Sequence, residues 1–153
     1  KNAQLVLQLA DYLTLDAKRS AQIVSGYAGC WRRMEVKGEM PGGAVVVDDY
    51  GHHPVEIRAT LSAMREAYPD KRIVAVFQPH THNRTLALWK EFIASFGDAD
   101  AVIVTGIYDA RPDKDAKKAE AARLAQEIGG VTKKLSLHVS SLADAETWLR
   151  ESA

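Results

Sequence analysis

Short apolar runs alternate with helical patterns through most of the chain. Three such runs lie at residues 73–77, 101–104 and 135–139. Helical patterns begin near Pro54, Thr85, Asp115 and Leu142. Parallel strands need long crossover connections, which are usually helices, so this alternation predicts successive strand–helix–strand units. An α/β fold with a mostly parallel sheet flanked by helices follows.

The start of the chain has a helical pattern instead. Apolar residues recur there at helical spacing: Leu5, Val6, Leu9 and Leu13. Asp16 can cap a second helix that runs toward Gly26. We therefore predict a short helical preface over residues 1–30.

A hairpin pattern follows the preface. Residues 33–37 alternate polar and apolar side chains, and Pro41-Gly42-Gly43 is typical of a turn before the apolar run 44–47. The sequence thus predicts an N-terminal β-hairpin that introduces a Rossmann-like, mostly parallel sheet within residues 31–153.

Composition excludes several classes of function. The formal net charge is +0, with basic and acidic residues interspersed, so the chain lacks the broad basic field that nucleic acid would require of a partner. Cys30 is the single cysteine, which rules out an intrachain disulfide, and we expect it to be packed. No apolar segment is long enough to span a membrane. The expected setting is cytoplasmic.

Polar side chains concentrate in three loops that follow predicted strands: a first loop (residues 48–53), a second loop (78–85) and a third loop (106–112). Ligands of open α/β sheets bind beside the carboxyl ends of the strands. The candidate groups are Asp48, Asp49, His52, His53, His80, His82, Arg84, Tyr108, Asp109 and Arg111. A single residue of this kind often has only a structural role, because it caps a helix or forms a hydrogen bond within its own loop. So many together favour a functional site, because they lose hydration or repel one another unless a ligand uses them.

Three familiar kinds of site are not favoured. Four imidazoles suggest zinc, but His52 and His53 are adjacent and point apart in extended backbone, and no HExxH helix or cysteine pair is present. We therefore predict no metal site. No GxSxG elbow offers a nucleophile. Neither GxGxxG nor GxxxxGK[ST] occurs, so the chain can supply only half of a nucleotide pocket.

Four segments of the chain carry a family resemblance. They read WRRMEVKG, VVVDDYGHHPVEI, VFQPHTHNRT and IYDAR. In this order and at these spacings they resemble the C-terminal domain of the bacterial Mur ligases. The opening NAQLVLQLADYL resembles the helical end of that family's central ATP-binding domain. The resemblance implies that residues 1–30 belong to the central domain and hinge, residues 31–153 to the C-terminal domain, and that the chain begins within a longer protein.

The resemblance implies an ATP-driven amide ligase of peptidoglycan biosynthesis. In this family a carboxylate of the nucleotide substrate is phosphorylated, and an amine attacks the acyl phosphate with Mg²⁺ present. The loops are most similar to those of members that add L-alanine to UDP-N-acetylmuramate. ATP and Mg²⁺ are expected to be held mainly by the central ATPase domain, the partner of this one, so the chain alone is expected to be inactive. Two alternatives stay open: a ligase that recycles murein tripeptide, and a noncatalytic binding module.

The resemblance also implies roles for individual residues. Its cofactor-binding positions are Arg33 at a phosphate, Asp49 at the ribose, Tyr50 in the nucleotide-facing loop and Asn2 near the adenine. Its catalytic positions, in the loop that faces nucleotide and substrate, are His52 and His53. Its substrate-binding positions, which hold the incoming amino acid and its carboxylate, are His80 and Arg84. Because Arg32 and Arg33 would alternate in a strand, only one of them is expected to face the cleft.

The chain departs from the family pattern in three places. Thr81 stands where the family usually has the first arginine of its second loop. Residues 111–114 replace an acidic, glycine-rich stretch. The Gly-Ala-Gly strand expected near the family's C-terminus is not among the 153 residues, so the domain is expected to lack its last strand here.

Overall fold

The computed structural model describes residues 2–27, 29–109 and 118–152. The elements in chain order are α1 (Asn2–Tyr12), α2 (Ala17–Ser25), β1 (Glu35–Glu39), β2 (Val45–Asp48), α3 (Pro54–Ala67), β3 (Val74–Phe77), α4 (His82–Ala87), α5 (Trp89–Ile93), β4 (Ala101–Val104), α6 (Ala121–Thr132), β5 (Leu135–His138) and α7 (Leu142–Ser152). The predicted α/β class is confirmed. Within the described ranges, no helix has the length and apolar character needed to cross a membrane.

The core forms around a parallel sheet in the order β3, β4, β5. All four residues of β4 are buried, as expected for the central strand of a sheet covered on both faces. Phe77 packs against Phe92 and Phe96 at ring-centroid distances of 5.4 and 5.5 Å. Burial of such a side chain stabilises a fold by about 1.5 to 3 kcal/mol. The second and third loops therefore leave from strands anchored in the core.

A charged pair fixes the other ends of these strands. The guanidinium of Arg65 donates to Asp100 Oδ2 at 2.6 Å and to the Lys71 and Asp98 carbonyls at 2.8 and 3.1 Å. Asp100 Oδ2 also accepts the Ile73 backbone N–H at 2.8 Å. The Ile73 N–H first, and the Arg65 guanidinium after it, lower the pKa of Asp100. This pair holds the end of α3 against the starts of β3 and β4.

The predicted hairpin is present, but its first strand begins later than the sequence indicates. β1 pairs antiparallel with β2 from Glu35 onward, so the strand predicted from Arg33 is wrong at its start. Arg32 and Met34 have φ angles of 52° and 51°, a left-handed conformation that interrupts extended backbone. The Tyr50 N–H donates to the Arg32 carbonyl at 2.8 Å, which ties this turn to the first loop.

A cleft of about 760 Å³ lies between the hairpin and the three-stranded sheet. β2, β3, the inner face of α3 and the end of α7 line it. No strand-to-strand pairing joins β2 to β3 in the described residues. Val46 and Val76, on the two flanking strands, are 41% and 40% exposed. The fold thus leaves two apolar strand edges facing one gap.

Most predicted helices are present, with altered starts. Pro54 opens α3 as predicted, and Asp16 caps α2 by accepting the Arg19 N–H at 2.6 Å. The helix expected near Thr85 begins earlier, as α4. The helix expected from about Asp115 is described from Ala121 onward as α6, with Glu120 as its N-cap, and residues 110–117 lie outside the described ranges.

Cys30 differs from its prediction. It is exposed instead of packed, with its Sγ 2.6 Å from Tyr27 Oη. The reason is its place in the turn region between α2 and β1, where Tyr27 and Trp31 are also exposed.

Candidate functional site

Four aromatic side chains form a row that joins the three loops. Tyr50 and His52 of the first loop are 5.1 Å apart between ring centroids and meet edge to face. His52 is 6.3 Å from His80 of the second loop, and His80 is 5.3 Å from Tyr108 of the third loop. The strand ends therefore bring together side chains that are far apart in sequence.

The second and third loops are also clamped through their backbones. The Tyr108 N–H donates to the Pro79 carbonyl, and the Thr81 N–H donates to the Tyr108 carbonyl, each at 2.8 Å. These bonds flank His80 and form a parallel bridge between His80 and Tyr108. His80 Nδ1 is buried and has no hydrogen-bond partner within the described residues. The clamp thus holds an imidazole that keeps one nitrogen shielded.

The two histidines of the first loop have complementary hydrogen-bond roles. His52 Nδ1 lies 3.0 Å from the Tyr50 carbonyl, which can only accept, so in the neutral ring Nδ1 carries the hydrogen and Nε2 keeps a lone pair. His53 Nδ1 accepts the Val55 N–H at 3.3 Å, so its Nε2 carries the hydrogen. One ring can therefore take a proton, and the other can donate to an oxygen.

Glu56 organises this first loop from the first turn of α3. Its Oε2 accepts the backbone N–H groups of His52 and His53, each at 3.1 Å. With His53 as the N-cap, these bonds complete a capping box. The His52 N–H is the main cause that lowers the pKa of Glu56. The loop that carries both histidines is thus fastened to the helix by one carboxylate.

Asp49 has a structural role that the sequence did not indicate. Its Oδ1 accepts the Gly51 N–H at 2.7 Å and the Thr60 hydroxyl at 3.1 Å, and its Oδ2 accepts the Met34 N–H at 3.0 Å. A carboxylate has about four lone-pair sites. Three are used, so one remains for a ribose hydroxyl. Gly51 is needed beside it, because a Cβ there would lie 2.8 Å from Asp49 Oδ1.

The two arginines before β1 both bring their guanidinium groups near the Tyr50 ring, and they lie in a turn instead of the strand in which they were predicted to alternate. The guanidinium carbon of Arg32 is 5.1 Å and that of Arg33 is 5.9 Å from the Tyr50 ring centroid. The left-handed turn described above explains this placement. Arg32 Nε donates to Asp48 Oδ2 at 3.0 Å, whereas the 51% exposed side chain of Arg33 comes no closer than 3.9 Å to Glu56. Arg33 can therefore bind an anion.

The other residues predicted to belong to the site differ in how far the structure describes them. Arg84 is half-buried in α4. His82 Nδ1 accepts the Ala119 N–H at 3.1 Å, which fastens the segment before α6 to the second loop. Asn2 begins α1, but its side chain is outside the described part, as is Arg111. In the described ranges, no three His, Cys, Asp or Glu side chains are placed to hold a metal ion.

Sequence reasoning missed two contributors to this region. Glu56 lies three residues after His53, which is the capping-box spacing, and this signal could have identified it. Thr60 lies one turn of α3 further on, and its bond to Asp49 had no local signal. Tyr108 was among the third-loop candidates without a role, because its contact with His80 depends on how two strands pair.

A family comparison covers most of the chain. Residues 32–153 match the family model described as Mur ligase, glutamate ligase domain. A UDP-N-acetylmuramate–L-alanine ligase of Pelobacter propionicus is 49% identical over 129 residues, which are 83% of this chain and 27% of that protein. One of Syntrophus aciditrophicus is 40% identical over 149 residues, 97% of this chain and 30% of that protein. The chain thus spans 27% to 30% of these relatives' length.

Solved structures show the same fold. The crystal structure of the UDP-N-acetylmuramate-alanine ligase MurC of Thermotoga maritima superposes with a TM-score of 0.76 at 27% identity, covering 95% of this chain and 30% of that one. A murein peptide ligase of Psychrobacter arcticus gives a TM-score of 0.70 at 21% identity, covering 99% of this chain and 31% of that one. The second likeness concerns the fold alone.

Proposed function

The chain belongs to the Mur ligase family, and from this premise we propose that residues 31–153 are the C-terminal domain of an ATP-dependent ligase that joins L-alanine to UDP-N-acetylmuramate. The relatives described above support this proposal, since they are named for that reaction and match at 40% to 49% identity. The reaction would belong to a longer protein, because the chain spans under a third of their length. A cytoplasmic setting is proposed with it.

The domain organisation is part of the same proposal. Residues 1–30 would be the helical end of the central ATP-binding domain, with the hinge after them. The exposed apolar side chains of α1 and α2, including Leu5, Leu9 and Ile23 at 63%, 56% and 66% exposure, support a packing partner there. The two unpaired strand edges at the cleft support one further strand in the complete domain.

The observation that carries the proposal is the meeting of the three loops. A site for three reactants must place groups of different character within reach of one another. Here a lone pair on His52, a shielded ring at His80 and an exposed guanidinium at Arg33 lie around the Tyr50 ring and its neighbours. These side chains can bind an anion and accept a proton from an amine at the same site.

The proposed chemistry has two steps. The γ-phosphoryl group of ATP passes to the carboxylate of UDP-N-acetylmuramate, which gives ADP and an acyl phosphate. The amine of L-alanine then attacks the acyl carbon, phosphate leaves, and the amine nitrogen loses a proton. The lone pair at His52 Nε2 would take that proton. Mg²⁺, bound mainly by the central domain, would neutralise charge on the phosphates.

Other residues of this chain would hold the anions. The guanidinium of Arg33 can bind phosphate oxygens through parallel N–H groups. The hydrogen on His53 Nε2 can be donated to an oxygen that gains charge as the acyl phosphate reacts. Asp49 can accept one ribose hydroxyl through its remaining lone pair.

A direct assay tests the substrate assignment. The intact parent protein would be given Mg-ATP and UDP-N-acetylmuramate with either L-alanine or the murein tripeptide, while ADP and the amide product are both followed. The proposal predicts amide formation with L-alanine. Preference for the tripeptide would identify a recycling ligase instead, and no product with either would identify a noncatalytic module. The 153-residue chain alone is expected to release no phosphate.

A matched pair of variants tests the role of Arg33. Arg33→Ala in the parent protein should raise the KM for ATP by about tenfold or more, because a charge-assisted hydrogen bond contributes about 1.5 to 3 kcal/mol. Arg58→Ala removes an exposed arginine of α3 and should leave that KM unchanged. Equal kinetics for the two variants would exclude Arg33 from the nucleotide site.

A further inference from the structure

We propose that Tyr108 is a positioning residue: its ring fixes the imidazole of His80 so that Nε2 carries the hydrogen and donates it to a carboxylate oxygen of the amino-acid substrate. The identity of the substrate rests on the proposed function. The tautomer is argued from the burial of His80 Nδ1, and its dependence on Tyr108 from the contact between the two rings.

The clamp around His80 leaves its ring little freedom. The residues on both sides of His80 are bonded to the backbone of Tyr108 at 2.8 Å. The Tyr108 ring lies 5.3 Å from the His80 ring at an angle of 50°, and the His52 ring lies 6.3 Å from it. The third loop therefore supplies both the backbone bonds and a packing surface for this imidazole.

The shielded nitrogen decides the tautomer. His80 Nδ1 is buried without a partner in the described residues, although the residue as a whole is half-buried. A buried N–H without an acceptor is rare in proteins, while an acceptor that lacks a donor is tolerated more often. A neutral imidazole carries one hydrogen. That hydrogen is therefore placed on Nε2, and the lone pair faces the packed side.

The tautomer in turn selects the ligand atom. An Nε2–H group donates to an oxygen and repels an ammonium group, so His80 is suited to a carboxylate. His52, whose ring is 6.3 Å away, has the opposite pattern and presents a lone pair. Arg84 adds a cation four residues after His80. An amino acid would thus have its amine on the His52 side and its carboxylate on the His80 side.

The first experiment reads the tautomer in the 153-residue chain and needs no ligase activity. A long-range nitrogen–proton NMR correlation spectrum distinguishes Nδ1–H from Nε2–H rings, and His80→Gln identifies the signals of His80 by their loss. The wild type should show the Nε2–H pattern, Tyr108→Phe should keep it, and Tyr108→Ala should give a mixture, because Nδ1 gains access to water. An Nδ1–H pattern in the wild type, or an unchanged pattern in Tyr108→Ala, would overturn the proposal. If Tyr108→Ala does not fold, the wild-type spectrum and Tyr108→Leu decide it.

The second experiment reads the function of Nε2 in the parent protein. The side-chain amide of Gln can replace Nε2 of histidine, and that of Asn can replace Nδ1. His80→Gln should stay within a few-fold of the wild-type KM for L-alanine, whereas His80→Asn should raise it by about 10- to 100-fold, the loss of one charge-assisted hydrogen bond. The KM for ATP should move in neither. The reverse order would refute the donor role, while a wild-type protein that forms no amide would refute the proposed function and leave the tautomer result standing.

Discussion

Replacing Glu56 by alanine should destabilise this domain more than an exposed glutamate substitution ordinarily does. One carboxylate oxygen accepts the N–H groups of His52 and His53, each at 3.1 Å, and closes the capping box of α3. Loss of one capping bond costs about 0.5 to 2 kcal/mol. The contact with Arg33, at 3.9 Å in exposed surroundings, adds little.

The expected magnitude follows from these two bonds. Since two donors lose their acceptor but regain water at a half-exposed site, we expect the free energy of unfolding to fall by about 1 to 2 kcal/mol. In a domain of this size that corresponds to a Tm lower by roughly 3 to 6 °C. Thermal unfolding followed by circular dichroism measures it. Glu66→Ala, at an exposed glutamate of the same helix, is the control and should change Tm little.

The same substitution predicts a dependence on pH. The pKa of Glu56 is lowered below its ordinary value of 4.5 in the folded state, first by the His52 N–H. The folded state therefore binds fewer protons than the unfolded state, and the stabilisation is present above 4.5 and disappears as the pH falls through the folded pKa. The Tm difference between wild type and Glu56→Ala should thus shrink in acid. A difference near zero at neutral pH, or one that grows in acid, would refute this reasoning.

Three further substitutions test the structural roles of charged and strained residues. Asp49→Ala should lower the free energy of unfolding by about 2 kcal/mol, because three donors lose one acceptor; an unchanged melting curve would leave only a nucleotide role for this carboxylate. Arg65→Ala should cost about 2 kcal/mol, and Arg65→Lys should restore only part of it, since a lysine cannot donate to several oxygens at fixed angles; full recovery in denaturant titrations would contradict this. Thr81→Gly should raise stability by about 1 kcal/mol, because a β-branched residue is strained at its φ of 66°; a lower Tm would show that the threonine side chain stabilises this turn.

The strands of the core could be predicted because they combine local signals with strong burial. Residues 101–104 are apolar without interruption and form the central strand β4. Pro54 marks the first turn of α3, where the missing N–H costs nothing. The start of β1 was predicted too early because two residues with left-handed backbone precede the strand. Neither arginine nor methionine commonly adopts that conformation, so Arg32 and Met34 gave no signal of it.

The site could be predicted only in part, because several of its contacts join loops that are far apart in sequence. The position of the loops at strand ends follows from an α/β pattern, so His52 and His80 could be grouped from the sequence. The hydrogen on the His52 ring is fixed by the Tyr50 carbonyl, and the His80 ring has a buried Nδ1 and a contact with the Tyr108 ring. These are contacts across loops, and no spacing within one loop encodes them. The structural bonds of Asp49 were hidden in the same way.

The proposed function makes residues 31–153 the C-terminal domain of a longer L-alanine ligase. The most direct measurement exchanges this chain for the matching 129 residues of the Pelobacter propionicus relative, which is 49% identical there. ATP-dependent amide formation from UDP-N-acetylmuramate and L-alanine would then be followed in the hybrid protein, with Arg33→Ala and Arg58→Ala versions beside it. Amide product is expected in the hybrid and in its Arg58→Ala version, and a marked loss in its Arg33→Ala version. A folded hybrid that binds UDP-N-acetylmuramate but forms no amide would contradict the proposed function.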